Sequence, residues 1–172
     1  FALGIATEDV YGREMKRQLR DLRIRTGGFV NQHTGWQTPV YAKPYRGSVE
    51  QNRIDFGRFN ASSRTSEKQL IATLHEEVSK VDALIVNQQL PQSLYTRAII
   101  RALNDLAKTY PTKTFLVDSR HRIPDFRSMI CKLNAIEAAA LFGKTVKHNE
   151  LVSIAHLRRY AEHFFSQFRK PV

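Results

Sequence analysis

Two polar side chains, the amide of Asn134 and the carboxylate of Glu137, have the types and the spacing to do chemistry together. They lie between the apolar run "SMICKL" and the Ala-rich run "AIEAAALFG", where a predicted strand ends and a predicted helix begins. An amide and a carboxylate so placed can organise hydrated Mg²⁺, which keeps several waters and needs one or two protein oxygens nearby. Alternatively, Glu137 only caps its own helix, because the helix dipole favours a carboxylate in the first turn. The sequence leaves both interpretations open.

Polar residues also follow the two preceding predicted strands. Asn87 comes after the apolar run "ALIV", and Asp118 and Arg120 come after "FLV". Ligands of open α/β sheets bind beyond the carboxyl ends of the strands, so we predict that these three residues line the floor of one cleft. The alternative for Asp118 is a turn cap.

The elements that position these residues alternate between strands and helices. The predicted strands are "FALGIAT", "DALIVN", "KTFLVD" and "SMICKLN". The predicted helices are "EDVYGREMKRQLRDLRI", "SEKQLIATLHEEVSKV", "SLYTRAIIRALNDLAKTY", "AIEAAALF" and "ELVSIAHLRRYAEHFFSQF". The strands lack polar alternation, so we expect them to be buried on both faces. This order predicts an α/β domain with a doubly wound, Rossmann-like, mostly parallel sheet and helices on both faces.

Residues 29–59 interrupt this order. They alternate apolar and polar residues and contain several glycines and prolines, which is typical of short antiparallel strands. They are too long for a plain loop, so we predict a small antiparallel lid sheet over one edge of the core. Residues 1–28 and 60–172 form that α/β core. Trp36 is expected to pack within the lid rather than to stack on a ligand.

Local patterns make finer predictions. Met15, Leu19 and Leu22 recur at i, i+4 and i+7, which predicts that the first helix is amphipathic. Ser66 and Gln69 match a capping box at the start of the second helix.

The composition is that of an ordinary globular protein, with 42% hydrophobic and 25% charged residues. The net charge of +11 suggests an anionic partner, either nucleic acid or a phosphorylated small molecule. Basic residues are spread along the chain without a dense tract, so nucleic acid is the less favoured partner. No apolar run approaches the ~20 residues that cross a bilayer, so no membrane partner is expected. The one cysteine, Cys131, fits a reducing cytoplasm and is interpreted as a small buried residue, not a nucleophile.

The run "LNAIEAAALFG" resembles the Asn-x-x-Glu element of ribokinase-like (PfkB-type) carbohydrate kinases, with Leu133 where that family usually has proline. The neighbouring segments resemble the family in the same order. "GIATEDVYGREM" is similar to its Gly-Asp-Asp-x-x-Gly segment, with Asp9 and Gly12 in matching places, and "FLVDSRHR" to its Val-Asp-Pro-Arg/Lys strand end, with Ser119 where proline is common. "TPVYAKPY" followed by "QNRIDFGRF" resembles the lid of the heptose-phosphate kinase branch. The chain resembles the middle portion of such a kinase.

The resemblance implies an enzyme that transfers the ATP γ-phosphoryl group to a hydroxyl of a sugar or sugar phosphate. ATP would be the co-substrate and Mg²⁺ the cofactor. Asn134 and Glu137 would organise the phosphates and the metal, with Glu137 acting through water. Arg53 and Asp55 in the lid would touch the sugar, although a solvent-facing strand residue describes Arg53 equally well.

Two parts of the family pattern do not occur in these 172 residues. One is the family's N-terminal Gly-Gly sugar-binding stretch, and the other is its C-terminal Gly-Ala-Gly-Asp loop, which supplies the catalytic base and the anion hole. We therefore expect a fragment of a cytoplasmic kinase that has no catalytic residue of its own and is inactive in isolation. Its start at Phe1, without Met, indicates an N-terminal truncation.

Two other hypotheses remain at this point. The chain could be a non-catalytic, basic α/β module that binds an anionic ligand or nucleic acid through its charge. It could also be a subunit-interface piece, because lid sheets of this family often pack against each other in homodimers.

Overall fold

The computed structural model describes residues 1–90, 94–147, 150–168 and 170–172, which form nine strands and five α-helices. The helices are α1 (Val10–Asp21), α2 (Arg64–Val78), α3 (Arg97–Thr109), α4 (Ala135–Leu141) and α5 (Ile154–Phe168). The strands are β1 (Leu3–Ala6), β2 (Gly28–Asn31), β3 (Val40–Ala42), β4 (Tyr45–Arg46), β5 (Val49–Glu50), β6 (Ile54–Phe56), β7 (Ala83–Gln88), β8 (Thr114–Ser119) and β9 (Ile130–Lys132). Across the described ranges, no helix has the length and apolar character needed to span a membrane.

The chain divides into two compact units. The first contains Phe1–Glu77 and Gln92–Ile99, and the second contains Val78–Pro91 and Ile100–Val172. The first unit holds the parallel pair β1–β2 and two small antiparallel pairs, β3–β6 and β4–β5. The second unit holds a parallel sheet of three strands in the order β7–β8–β9. The predicted α/β class, with parallel sheets and small antiparallel sheets, is confirmed.

The first strand of the predicted lid differs from expectation. β2 pairs in parallel with β1, with Leu3 opposite Gly28, whereas the pattern after residue 28 predicts antiparallel strands. Gly28 and Val30 are buried, so this segment returns to the sheet that β1 began, with α1 as the crossover between the two strands. Antiparallel pairing starts only at β3. The boundaries of the lid at residues 29 and 59 stay a prediction.

The end of α1 and the start of α2 differ from the sequence pattern, and the predicted capping box at Ser66 is wrong. α1 ends at Asp21, so Leu22 lies beyond the helix and is exposed. α2 begins at Arg64, and the Ser63 hydroxyl accepts the Ser66 amide at 3.0 Å, so the capping residue is Ser63. Ser66 is therefore inside the helix and cannot form the predicted box with Gln69.

Predicted apolar stripes of three helices contribute to the described core. The buried stripe residues are Leu70, Leu74 and Val78 in α2, and Ile99, Leu103 and Leu106 in α3. In the second unit, Tyr160 and Phe164 of α5 pack against Ala138 and Ala139 of α4. Trp36 is buried, as expected for a packing role.

The three-stranded sheet has one covered and one uncovered face. Val86, Val117 and Cys131 are buried on the covered face, and burial raises the pKa of the Cys131 thiol to about 11, as expected for an inert cysteine. Ile85, on the other face, is 72% exposed. The predicted burial of β7 on both faces is therefore wrong at Ile85.

Candidate functional site

Three polar residues lie in register at the carboxyl end of the three-stranded sheet. Asn87 is opposite Asp118, and Asp118 is opposite Lys132. The Lys132 ammonium pairs with the Asp118 carboxylate at 2.9 Å (Nζ to Oδ2). We call these three residues the polar row. The structure thus brings together two of the predicted cleft residues, on the same face as Ile85 because residues two apart in a strand share a face.

Lys132 was not among the residues singled out from the sequence. Its signal is the alternation within β9, where buried Cys131 places Lys132 on the opposite face. The hydrogen bond to Asp118 and the charge of that carboxylate raise the pKa of Lys132 above its ordinary value. Glu137 adds to this effect, whereas burial and Arg120 oppose it. The four charged groups therefore share one electrostatic neighbourhood.

The predicted pair at the strand–helix junction forms a capping box. The backbone amide of Glu137 donates to Oδ1 of Asn134 at 2.8 Å, and the backbone amide of Asn134 donates to Oε2 of Glu137 at 2.9 Å. Leu133, the residue that replaces proline, packs against the α4–α5 cluster that includes Ala138, which is the geometry of a hydrophobic staple. The capping interpretation is confirmed. Neither side chain is buried, and the box uses one oxygen of each, so a role toward phosphates stays a prediction.

A buried pair of polar side chains connects the ends of β7 and β8. Gln88 and Ser119 are each 1% exposed, and the Ser119 hydroxyl donates to Oε1 of Gln88 at 2.6 Å. The same serine oxygen accepts the Arg122 amide at 3.0 Å, and the Arg120 amide donates to the Gln88 carbonyl at 3.1 Å. Gln88 is a polar residue at an inward position of an apolar strand, which is the signal that the sequence offered. The bonds set the backbone course on which the exposed Arg120 side chain stands.

The two lid residues belong to the first unit. Arg53 binds Asp55 through two hydrogen bonds, at 2.6 Å from Nε to Oδ1 and 2.9 Å from Nη2 to Oδ2. Its guanidinium carbon lies 4.3 Å from the centroid of the Tyr41 ring, and Tyr41 is opposite Asp55 in the β3–β6 pair. This arrangement holds a flat cation in one orientation. Contact of Arg53 and Asp55 with a sugar stays a prediction.

The chain is similar to known sugar kinases over almost its whole length. Phosphofructokinase-2 from Escherichia coli matches 96% of the chain with a TM-score of 0.64 and 16% identity. The 2-dehydro-3-deoxygluconokinase from Thermotoga maritima matches 98% of it with a TM-score of 0.67 and 12% identity. The chain has the ribokinase-like fold. The resemblance drawn from the sequence is thereby confirmed at the level of the fold.

The ribokinase-like chain spans only part of the proteins it matches. It covers 52% of the phosphofructokinase-2 chain and 54% of the deoxygluconokinase chain. In sequence, it is 27% identical over 119 residues to the bifunctional protein HldE from Wolinella succinogenes, which is 69% of this chain and 24% of that protein. No protein-family model matches the chain.

The ribokinase-like Asp-x-x-Gly segment serves the backbone in this structure. Asp9 caps α1 by accepting the Gly12 amide at 2.6 Å, and its second oxygen accepts the Thr38 amide at 2.9 Å. A Cβ on Gly12 would lie 2.0 Å from the Thr7 carbonyl oxygen, so no other residue fits there. Burial disfavours the Asp9 carboxylate, but the two amide hydrogen bonds outweigh it and lower the pKa of Asp9 below its ordinary value.

The donor set near the polar row suits a hydrated Mg²⁺ rather than a directly chelated one. Across the described residues, no group of three or more His, Cys, Asp or Glu side chains has metal-site geometry. Asp118 is already paired with Lys132, whereas Glu137 uses only one oxygen in the capping box. Mg²⁺ prefers oxygen and keeps several waters, so Glu137 fits a contact through water.

The basic residues of helix α1 form ion pairs on a largely solvent-exposed face. Arg17 pairs with Glu14 at 2.7 Å and with Asp21 at 2.6 Å, and Lys16 pairs with Glu8 at 2.6 Å. Hydrogen bonds from Arg17 and Gln18 lower the pKa of Glu14 to about 2. Much of the positive charge on this helix is thus matched by neighbouring carboxylates.

Proposed function

We propose that this chain forms part of an ATP-dependent carbohydrate kinase that transfers the γ-phosphoryl group to a hydroxyl of a sugar or sugar phosphate. The observation that carries the proposal is the position of the Asn134–Glu137 box. It follows the polar row directly, at the carboxyl end of a parallel sheet in a chain with the ribokinase-like fold. Ligands of such sheets bind at that end.

The residues at the carboxyl end of this sheet have different roles in holding phosphates. Lys132 and Arg120 supply positive charge, and Asp118 orients the Lys132 ammonium through its ion pair. Glu137 would hold Mg²⁺ through a water, and Asn134 fixes the Glu137 backbone through the box. Mg²⁺, when bound, supplies neutralisation of phosphate charge. Phosphoryl transfer depends mainly on such positioning and charge stabilisation, so these groups suit it.

The proposed acceptor is a heptose phosphate or a related sugar phosphate, handled in the cytoplasm. The resemblance of the lid segments to the heptose-phosphate kinase branch supports this. Arg53, held flat by Asp55 and Tyr41, suits bidentate contact with a phosphate or a pair of hydroxyls.

We expect the 172-residue chain alone not to turn over ATP, because its sequence contains no Gly-Ala-Gly-Asp loop. The measurement is ADP release in the presence of a panel of sugars and sugar phosphates. Sugar-dependent release above the background without sugar would overturn this part of the proposal.

Mg²⁺-dependent ATP binding tests the role of Glu137. The measured quantity is the ratio of ATP affinities with and without Mg²⁺, obtained by calorimetric titration. Glu137→Gln should lower this ratio about tenfold, since removing a group that orients metal water typically costs that much. Glu162→Gln is the matched control, because Glu162 pairs with Arg158 on the surface of α5. An equal ratio in wild type and Glu137→Gln would refute the metal role.

The lid is also proposed to pair two copies of the chain. Five of its large hydrophobic side chains are exposed, namely Tyr41, Tyr45, Val49, Ile54 and Phe59. Exposed apolar surface of this kind favours association. Sedimentation velocity should show a concentration-dependent dimer that the double substitution Tyr45→Ser and Val49→Ser abolishes. A wild-type monomer at all concentrations would contradict the pairing.

A further inference from the structure

A pocket in the second unit is lined by residues 142, 144–146 and 150–152 and by the first turns of α5. Its cavity measures about 380 Å³. Its aromatic floor consists of Phe142 and Tyr160, whose ring centroids are 4.8 Å apart. Tyr160 is 6% exposed, and both rings belong to or pack against the α4–α5 core, so the floor is rigid. A cavity of this volume is large enough for a small organic ligand.

Basic side chains line the same pocket. Lys144, His156 and Arg159 line the pocket. The Arg159 guanidinium carbon lies 5.6 Å from the centroid of Phe142, and the His156 ring stacks on Tyr160 at 6.3 Å. The planar groups therefore present a layered surface that a flat ring could extend.

The lining of the pocket carries more positive than negative charge. Glu150 is the acidic residue in its lining, and one of its oxygens accepts the Lys147 amide at 3.2 Å. Within the described ranges, no carboxylate forms an ion pair with Lys144 or Arg159. The adjacent Arg158 behaves differently, because it points to solvent and pairs with Glu162 at 3.0 Å. Two lasting positive charges beside an apolar floor favour a ligand that is both anionic and apolar.

We propose that this pocket binds a small organic phosphate that carries a flat ring, with Lys144 and Arg159 on the phosphate and Phe142 under the ring. The pocket is separate from the kinase site proposed above. It adjoins the carboxyl end of α4, whereas the Asn134–Glu137 box opens the amino end of that helix. The seven residues of α4 place these ends about 10 Å apart.

Phenyl phosphate is the probe, titrated into the full chain without ATP or Mg²⁺ so that the outcome is independent of kinase function. Arg159→Gln should weaken its binding about tenfold, the usual effect of losing one charge-assisted hydrogen bond. Arg158→Gln, with the same change of charge one residue away, should change binding less than about twofold. Phe142→Leu should reduce the preference for phenyl phosphate over inorganic phosphate.

Several results would overturn the proposal. Equal weakening by Arg158→Gln and Arg159→Gln would mean that only the general positive charge attracts the probe. Equal affinity for inorganic and phenyl phosphate would show that the pocket does not bind the ring. No binding of phenyl phosphate at millimolar concentration would refute the proposal as a whole. Circular dichroism shows whether each variant is folded. If Arg159→Gln is unfolded, Lys144→Gln in the loop repeats the test with the same expected loss.

Discussion

Two strand–helix junctions of this chain carry a polar side chain three residues before the amide that it caps, yet they are built differently. At the β1–α1 junction, Asp9 binds the Gly12 amide and also the amide of Thr38, which lies 29 residues further along the chain. At the β9–α4 junction, Asn134 and Glu137 bind only each other. The first junction connects distant parts of its unit, and the second is complete within four residues.

This difference in hydrogen bonding suggests that the cap at Asp9 serves the fold, whereas the cap at Asn134 and Glu137 can also serve a ligand. Each oxygen of Asp9 accepts a backbone amide, so that carboxylate is used to hold the backbone. The Asn134–Glu137 box satisfies the helix start with one oxygen from each side chain and stands beside the charged Lys132. A cap that needs no distant partner can be exposed at a cleft without loss of the fold. The predictions below test whether the two junctions differ in this way.

Substitution at Gly12 should have the largest effect on stability. A methyl group there would meet the Thr7 carbonyl oxygen at 2.0 Å and Thr38 Oγ1 at 2.7 Å. We expect Gly12→Ala to lower the free energy of unfolding by about 2–4 kcal/mol, because overpacking exceeds the ~1 kcal/mol gained in helix propensity. Gly27→Ala is the control, since nothing lies within 4 Å of its added methyl. Urea unfolding of both variants measures the difference, and similar midpoints would show that the junction tolerates the methyl group.

Loss of the Asp9 carboxylate should have the next largest effect. Asp9→Ala removes a helix cap and leaves the Thr38 amide without its partner, so we expect a loss of about 2 kcal/mol. Asp21→Ala removes an exposed carboxylate from the same helix, and it should cost less than about 0.5 kcal/mol. Equal costs for the two variants would show that the link to Thr38 contributes nothing.

Acid should remove the contribution of Asp9. Its folded-state pKa lies below the ordinary value, so the ionised form stabilises the fold above the unfolded pKa of about 3.9, and that stability is lost as the pH falls through the folded pKa. The difference in unfolding free energy between wild type and Asp9→Asn should therefore be constant above pH ~5 and shrink below pH ~4. A difference that is unchanged down to the acid limit of folding would contradict the lowered pKa.

The β9–α4 junction should respond least. Asn134→Ala removes a single exposed cap and should cost about 1 kcal/mol. Glu137→Gln keeps the capping box, because glutamine also accepts the Asn134 amide, and should change stability by less than about 0.5 kcal/mol. Thermal unfolding of the two variants measures both effects. A large loss in Glu137→Gln would show that the carboxylate charge is needed by the fold and would weaken the functional comparison.

Several features of the fold follow from local sequence patterns. The apolar runs predict β1, β7, β8 and β9, and the periodic stripes predict all five helices, with Leu70 and Leu103 buried as expected. The Asn134–Glu137 spacing predicts a capped helix start. These features depend on neighbours within about one turn or one strand, which is why a single sequence reveals them.

Other features of the fold depend on which distant segments pack or pair with one another. The sequence by itself determined the order of elements, the α/β class and the resemblance to sugar kinases. Only the tertiary structure decided that β2 joins β1, that Ile85 is uncovered, and that Lys132 meets Asp118. The physical reason is that alternation along a strand divides side chains between two faces but does not say what covers either face. Strand pairing and packing settle that, and they depend on residues far apart in the chain.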